Sequence, residues 1–485
     1  MISISRSLAR QFRAVARRAG LSKAGLPGSA CVRLIATAEA LLMQASNGRV
    51  AIEYQKAGRF DAADMTVPLQ LFADCEAKND GFVTIRRNDA TGIVASWDDR
   101  GVPQQHDYVC YDTPDMPAFS QELATNPPHL LKALQDAVAT VESNSTRFSL
   151  DCVQLSGTSG TMAATDSRQL LVQTGFQFPW REELLMRATD VFASRELPTN
   201  LPVAIGRTEQ GITVRIGEWT IHHEINKDGR FPKLDRTIPS PAAIQTRMQV
   251  DAADARFLTT TVGRLPADDQ TDRPLTLDLN GSVVVRARKD EQSPMMELLL
   301  SRSQRVGAQL RLQTNRTYLA RALELGFTEV GFVDAESPCV CQDTTRTYVW
   351  MLLENKGALE PSSEALRIDS LSVPSTGATN PARNGVASPT PTSAITTTVI
   401  PVNRVAGHLS PRTAPKTNVI ADVVPVMSAP RSTDVIEQAL ELRNQLRSVV
   451  QGLTELVTQI RQQRKQTRLM KSTLQSLKQL QLLEA

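Results

Sequence analysis

The sequence predicts an α+β protein: three tandem units, each of two helices plus antiparallel sheets, followed by a disordered linker and a C-terminal coiled-coil helix. Three observations carry this. Amphipathic helix candidates recur with their starts roughly 120 residues apart, the signature of a repeated unit. No aromatic residue follows Trp350. A heptad pattern of apolar residues then closes the chain. With 485 residues, 41% hydrophobic and 22% charged, the chain has material for several cores, which excludes a fibrous or wholly disordered protein. No run of about 18 apolar residues offers a membrane span. The net charge of +3, from 54 basic and 51 acidic residues, says less than where the charges fall.

The first helix is expected over 5–18. Around a helical wheel, Arg10, Arg13 and Arg17 fall within about 40° of Arg6, and Leu8, Phe12 and Val15 lie opposite. The helix therefore has a cationic stripe on one face and an apolar face suited to docking on a sheet. An acid-free, Arg-rich N-terminus also describes an organellar transit peptide, and a stripe of this kind can be no more than a solvated face. The recurrence favours a structural role. Similar helices are expected at His129–Val138 and 252–262, each followed by alternating, strand-like runs such as 147–155. A second helix closes each unit, at 67–78, 181–192 and 318–325. The domains then divide at 1–122, 123–245 and 246–357.

Six cysteines, at 31, 75, 110, 152, 339 and 341, form no C-x-x-C pair and no disulfide framework, so they are expected as buried thiols in a reducing cytosol. The five histidines are scattered, and His222 and His223 are adjacent on an apparent strand over 219–225, facing opposite ways. No metal site, catalytic constellation, phosphate loop or cofactor is expected.

Ten prolines lie between Pro361 and Pro430, in a stretch rich in Ser, Thr, Ala and Val, so 358–431 is expected as a disordered linker. After it, Leu442, Leu446, Val449, Leu453, Leu456 and Ile460, then Met470, Leu474 and Leu477, follow spacings of four and three past polar layers at Gln463 and Thr467. That predicts a coiled coil over 432–485, with self or another chain as partner. Arg461, Arg464, Lys465, Arg468 and Lys471 make its middle basic.

Four segments then point to a family. Thr161-Met-Ala-Ala-Thr-Asp-Ser-Arg-Gln-Leu-Leu171 resembles the Ala-Thr-Asp-Gly-His-Arg-Leu turn in the middle domain of bacterial DNA sliding clamps, the beta subunit of DNA polymerase III. Ile225-Asn-Lys-Asp-Gly-Arg-Phe-Pro-Lys-Leu-Asp-Arg-Thr-Ile-Pro239 is similar to that family's entry into the third domain. Asn315-Arg-Thr-Tyr-Leu-Ala-Arg-Ala-Leu323 and Tyr348-Val-Trp-Met351 resemble its closing helix and last strand. The order and spacing fit across 1–357.

The resemblance implies a head-to-tail homodimeric ring of six domains around double-stranded DNA, with strands outside and helices lining the hole. It implies no catalysis, a DNA polymerase and a clamp loader as partners, and a cytoplasmic, nucleoid-associated location. The stripe Arg6, Arg10, Arg13 and Arg17 suits contact with phosphates, which carry a charge every ~1.7 Å of duplex axis. Lys23, Arg147 and Arg181 lie where the family pattern also puts inward-facing groups. Its peptide-binding groove, carried over by position, would use Leu150, Thr165, Ser167, Arg168, Leu170, Pro232, Arg236, Pro338, Val349 and Met351. Here Ser167-Arg168-Gln169 replaces Gly-His-Arg, Glu336 lies near a usually apolar place, and Leu352 stands where Pro is common. Asp166 has a plainer role available, since Asp favours turns and can simply hold the hairpin. The terminal Gln479-Leu-Gln-Leu-Leu483 is similar to groove-docking peptides, and it is equally the frayed end of a Leu/Gln-rich helix. The expected function is that of a sliding clamp that encircles duplex DNA and tethers a polymerase. The alternative is a clamp-like scaffold that assembles through its coiled coil.

Overall fold

The computed structural model describes residues 1–21, 31–79, 81–88, 92–109, 113–142, 149–234, 237–267 and 272–372. The expected coiled coil, the expected linker from 373 on, Gln479 to Leu483, Lys23, Arg147 and Arg236 all lie outside the described residues.

One order of elements occurs three times, with a 3₁₀ turn in place of the second helix in the second module and one added strand in the third. The first module runs β1 (Ile2–Ser5), α1 (Arg6–Arg18), β2 (Cys31–Ala36), β3 (Ala40–Ser46), β4 (Val50–Ala57), β5 (Ala63–Pro68), α2 (Leu69–Cys75), β6 (Phe82–Arg87), β7 (Gly92–Asp99) and β8 (Val102–Val109). The second runs β9 (Ala124–Asn126), α3 (His129–Val138), β10 (Cys152–Ser156), β11 (Thr161–Thr165), β12 (Gln169–Gln173), β13 (Glu183–Arg187), a 3₁₀ turn at Asp190–Ala193, β14 (Val203–Arg207), β15 (Gly211–Ile216) and β16 (Trp219–Glu224). The third runs β17 (Thr246–Gln249), α4 (Ala252–Thr261), β18 (Pro274–Asp278), β19 (Val283–Ala287), β20 (Met296–Leu300), β21 (Gln304–Gly307), β22 (Arg311–Asn315), α5 (Arg316–Glu324), β23 (Glu329–Phe332), β24 (Cys339–Gln342) and β25 (Arg346–Trp350). A last strand, β26 (Leu366–Asp369), follows. The expected α+β class, with mostly antiparallel sheets and few helices, is the one observed.

Within each module the opening strand pairs antiparallel with the first strand of the second meander: β1 with β6, β9 with β14, β17 with β23. The modules then share sheets. β4 pairs with β16, with Ile52 opposite Ile221, and joins the first and second modules in one eight-stranded sheet. β12 pairs with β25, with Leu170 opposite Val349, and joins the second and third in a nine-stranded sheet. At each end a smaller sheet remains, β1-β6-β7-β8 and β22-β18-β19-β20-β26.

Helix α1 shows how the sequence sets these elements. Ser5 caps it, its Oγ accepting from the Leu8 N–H at 3.1 Å. Leu8, Phe12 and Val15, four and three apart, are buried, and each such side chain stabilises by about 1.5–3 kcal/mol. At the far end Gly20 (φ +76°) turns left-handed, its N–H reaching the Arg17 carbonyl and that of Leu21 the Ala16 carbonyl, and this stops the helix. Phe12 stacks on Trp219 of the second module, ring centroids 5.9 Å apart, so the cores of the first two modules form one cluster.

Three expectations change. Residues 181–192 form β13 and the 3₁₀ turn instead of a helix: the apolar run Leu184-Leu185-Met186 is taken up by antiparallel pairing with β10, which its period alone does not decide. Of the run expected over 147–155, the described part is a turn at 149–151 and becomes a strand at Cys152. The ordered chain extends past residue 357: the Leu359 N–H donates to Thr276 Oγ1 at 2.8 Å and β26 joins the last sheet, so the linker cannot begin at 358.

Candidate DNA-facing helices and apolar cleft

Among the described residues, three helices are ten residues or longer: α1, α3 and α4. They hold only two acids, Asp136 and Asp254, and both are buried, at 3% and 0% exposure. Asp136 accepts from Lys132 and Arg321, while Asp254 accepts from Ser303 and the Arg302 N–H. Every charge these helices present to solvent is therefore positive. The charges belong to Arg10, Arg13, Arg17 and Arg18 on α1, Lys132 on α3 and Arg256 on α4. Arg18, Lys132 and Arg256 did not emerge from the sequence. The signal was available in the scarcity of acids on these helices, but only burial shows that the two present are hidden.

The expected stripe on α1 is partly neutralised. Arg6 does not belong to it: its side chain is 4% exposed, and its guanidinium donates to the Cys75 carbonyl at 2.6 Å, the Asp98 carbonyl at 2.6 Å and Asp99 Oδ1 at 3.1 Å. As the first helical residue it points back across the start of α1 toward α2 and the β7–β8 turn. Arg10 pairs with Glu196 at 3.5 Å and Arg13 with Glu76 at 2.7 Å. Arg17 and Arg18 are exposed. Arg181 is exposed in the segment before β13 rather than on a helix.

The second surface lies where β12 meets β25. Leu150, Thr165, Ser167, Arg168, Leu170, Pro232, Val349 and Met351, eight of the residues expected together, line one cavity of about 270 Å³ with Leu234 and Thr237. Pro338, just before β24, is not among its lining residues. Leu170 and Val349, which line the cavity, are buried in one apolar cluster with Val340, and the lining residue Met351 is 42% exposed.

The turn beside the cavity is built by Asp166. Its Oδ1 accepts from the N–H groups of Arg168 and Gln169, both at 2.8 Å, while Oδ2 accepts from Gln169 Nε2 at 2.9 Å and the Tyr318 hydroxyl at 3.3 Å. Burial, with the Asp166 charge beside it, pushes the Tyr318 hydroxyl up to about 12, so it stays neutral and can donate. Arg168 pairs with Asp272. Ser167 sits at φ +76°, a conformation that costs a side chain about 1–2 kcal/mol, of which glycine's greater unfolded freedom takes back about 0.5–1. Ser167→Gly is therefore expected to raise stability by about 0.5 kcal/mol, read as a higher urea midpoint at unchanged slope. A lower midpoint would mean that the hydroxyl, not the backbone, matters there.

No family model and no curated protein matches the sequence. Solved structures do. The chain is similar to the sliding clamp of Pseudomonas aeruginosa bound to griselimycin, at 19% identity and a TM-score of 0.60. It is similar also to the beta subunits of Streptococcus pyogenes (14%, 0.61) and Thermotoga maritima (14%, 0.59). Each alignment covers 73% of this chain and 99% of the other. At such identities the likeness establishes the fold, and the fold is that of the bacterial DNA polymerase III beta sliding clamps.

Proposed function

We propose that this chain is a DNA sliding clamp: copies joined head to tail encircle duplex DNA, contact phosphates without reading bases, and tether a DNA polymerase through a peptide bound in the cleft. The observation that carries the reading is the charge of α1, α3 and α4, cationic at every exposed charged position with both acids buried. A sliding contact needs this, because phosphates bind cations irrespective of sequence and an exposed acid would be repelled. The domains divide near 122 and 245, and the third runs past 357 to include β26. The protein is non-catalytic, cytoplasmic and placed on DNA by a clamp loader. Arg17, Arg18, Lys132 and Arg256, with Arg181, make the phosphate contacts, aided by Arg10 and Arg13 when the DNA charge draws them from Glu196 and Glu76.

The test is topological. Loaded protein is expected to remain on nicked circular plasmid and to leave when the plasmid is linearised. Replacing Arg17, Arg18 and Arg256 with alanine should lower the slope of log K against log salt by up to about 2.7, at about 0.9 for each phosphate no longer neutralised. A second reading, a clamp-shaped scaffold assembling through its coiled coil, draws support from the paired state of Arg10 and Arg13. It requires retention indifferent to plasmid topology.

A further inference from the structure

The two junctions inside the chain obey one rule. The third strand of a module's first meander pairs with the last strand of the next module's second meander: β4 with β16, then β12 with β25. In the first module the strand equivalent to β16 and β25 is β8. In the third module the strand equivalent to β4 and β12 is β20. A third junction of the same kind would place β8 of a second copy along β20. β8 lacks the neighbour that buries its counterparts: most of its residues are exposed, Val102 and Val109 by 57% and 63%, whereas β16 and β25 are largely buried.

The β20 edge is already occupied. β26 lies along it in the sole parallel ladder among the described residues, with Met296 opposite Leu366 and Leu298 opposite Ile368. The cap is specific. The Leu366 N–H donates to the Met295 carbonyl at 2.8 Å and the Ser370 N–H to the Leu299 carbonyl at 3.0 Å. Arg367 Nε donates to Glu297 Oε1 at 2.6 Å, and the Ser301 hydroxyl to Asp369 Oδ1 at 2.8 Å. Ile368 packs half-buried against the third module's core. The cap is also short, four residues long, and parallel pairing is slightly weaker per residue than the antiparallel pairing used at both internal junctions. Leu366 and Leu371 stay exposed, by 55% and 57%.

We propose that β26 is an intramolecular competitor for the edge that receives β8 of a second copy, so that association of copies requires β26 to leave β20. The proposal rests on the head-to-tail assembly proposed above. It makes β26 a gate on assembly.

The experiment uses the full chain in three forms: unaltered, weakened at β26 by Arg367→Glu with Ile368→Asp, and locked by Met296→Cys with Leu366→Cys under oxidation. Neighbouring strands lie about 4.8 Å apart, within disulfide reach of about 4.4–6.8 Å. Hydrogen exchange at Val102–Val109, followed over a concentration series beside light-scattering mass, reports β8 pairing separately from any association through residues 373–485. The weakened form is expected to protect β8 at a concentration at least tenfold lower than the unaltered chain. The locked form should leave β8 unprotected until a reductant restores it. Equal β8 protection in all three forms, or none in any, overturns the proposal. Nicked-circle retention separates the two readings: a locked form retained as well as the unaltered one removes the gate and leaves the clamp. Earlier β8 protection in the weakened form without topology-dependent retention removes the clamp and leaves the gate.

Discussion

Replacing Arg6 with alanine is expected to lower stability by about 3 kcal/mol while leaving the salt dependence of DNA binding unchanged. The guanidinium is buried and its two shortest bonds go to backbone carbonyls, of Cys75 and Asp98. Without it both carbonyls lose their donor, and a buried acceptor left unsatisfied costs about 1–3 kcal/mol. The bond to Asp99 adds little, because that carboxylate is 54% exposed and solvent-screened. Lysine should not rescue, since one ammonium cannot span the three acceptors that the planar fork reaches. Arg17→Ala is expected to do the opposite, with stability intact and the DNA salt slope reduced. Urea unfolding beside salt-dependent retention measures both. An unaltered urea midpoint for Arg6→Ala would return this residue to the phosphate-binding set.

Acid is expected to destabilise the protein through His223. The ring is wholly buried in β16 against Phe192, centroids 5.0 Å apart, and burial, with His222 adjacent, pulls it down to about 3. The unfolded chain binds this proton below about 6.5 and the folded chain refuses it until about pH 3. Stability is therefore complete above 6.5 and falls with pH at about 1.4 kcal/mol per unit, a loss of about 2.7 kcal/mol by pH 4.5. His222, lowered by burial too, adds in the same direction. His223→Gln should show a flatter decline between pH 6.5 and 4.5 in thermal unfolding, whatever its stability at neutral pH. Parallel curves for the two proteins would show that carboxylates, not this histidine, set the acid response.

The sequence made some parts of this molecule legible and hid others for physical reasons. Helices α1, α3 and α4 announced themselves because a cap or a proline precedes an apolar stripe with spacing of three and four. β13 did not, since three consecutive apolar residues fit a buried strand and a helix equally. β26 was obscured by composition: Leu366-Arg-Ile-Asp369 is too short to register within a Pro- and Ser-rich stretch. Arg6 was misplaced because a helical wheel gives an angle, while the first residue of a helix lies beyond the turn whose neighbours would reveal its partners. Eight residues of the cleft could be named in advance only through the resemblance to bacterial sliding clamps, position by position; no period or composition in the chain marks them. Pro338 lay outside it although it immediately precedes β24, a strand paired with β25.

The shared sheets carry a consequence for how the chain can be cut. Neither internal boundary is a mere hinge: across each, five ladder positions bind one module's rim to the next. A fragment ending at such a boundary would bare a row of peptide groups and the apolar residues Ile52 or Leu170 beside them. Isolated modules would thus be sticky and poorly folded, and grafting one from a distant relative would demand that its flanking strands match on both sides. Substitutions along these seams are answerable to two modules at once.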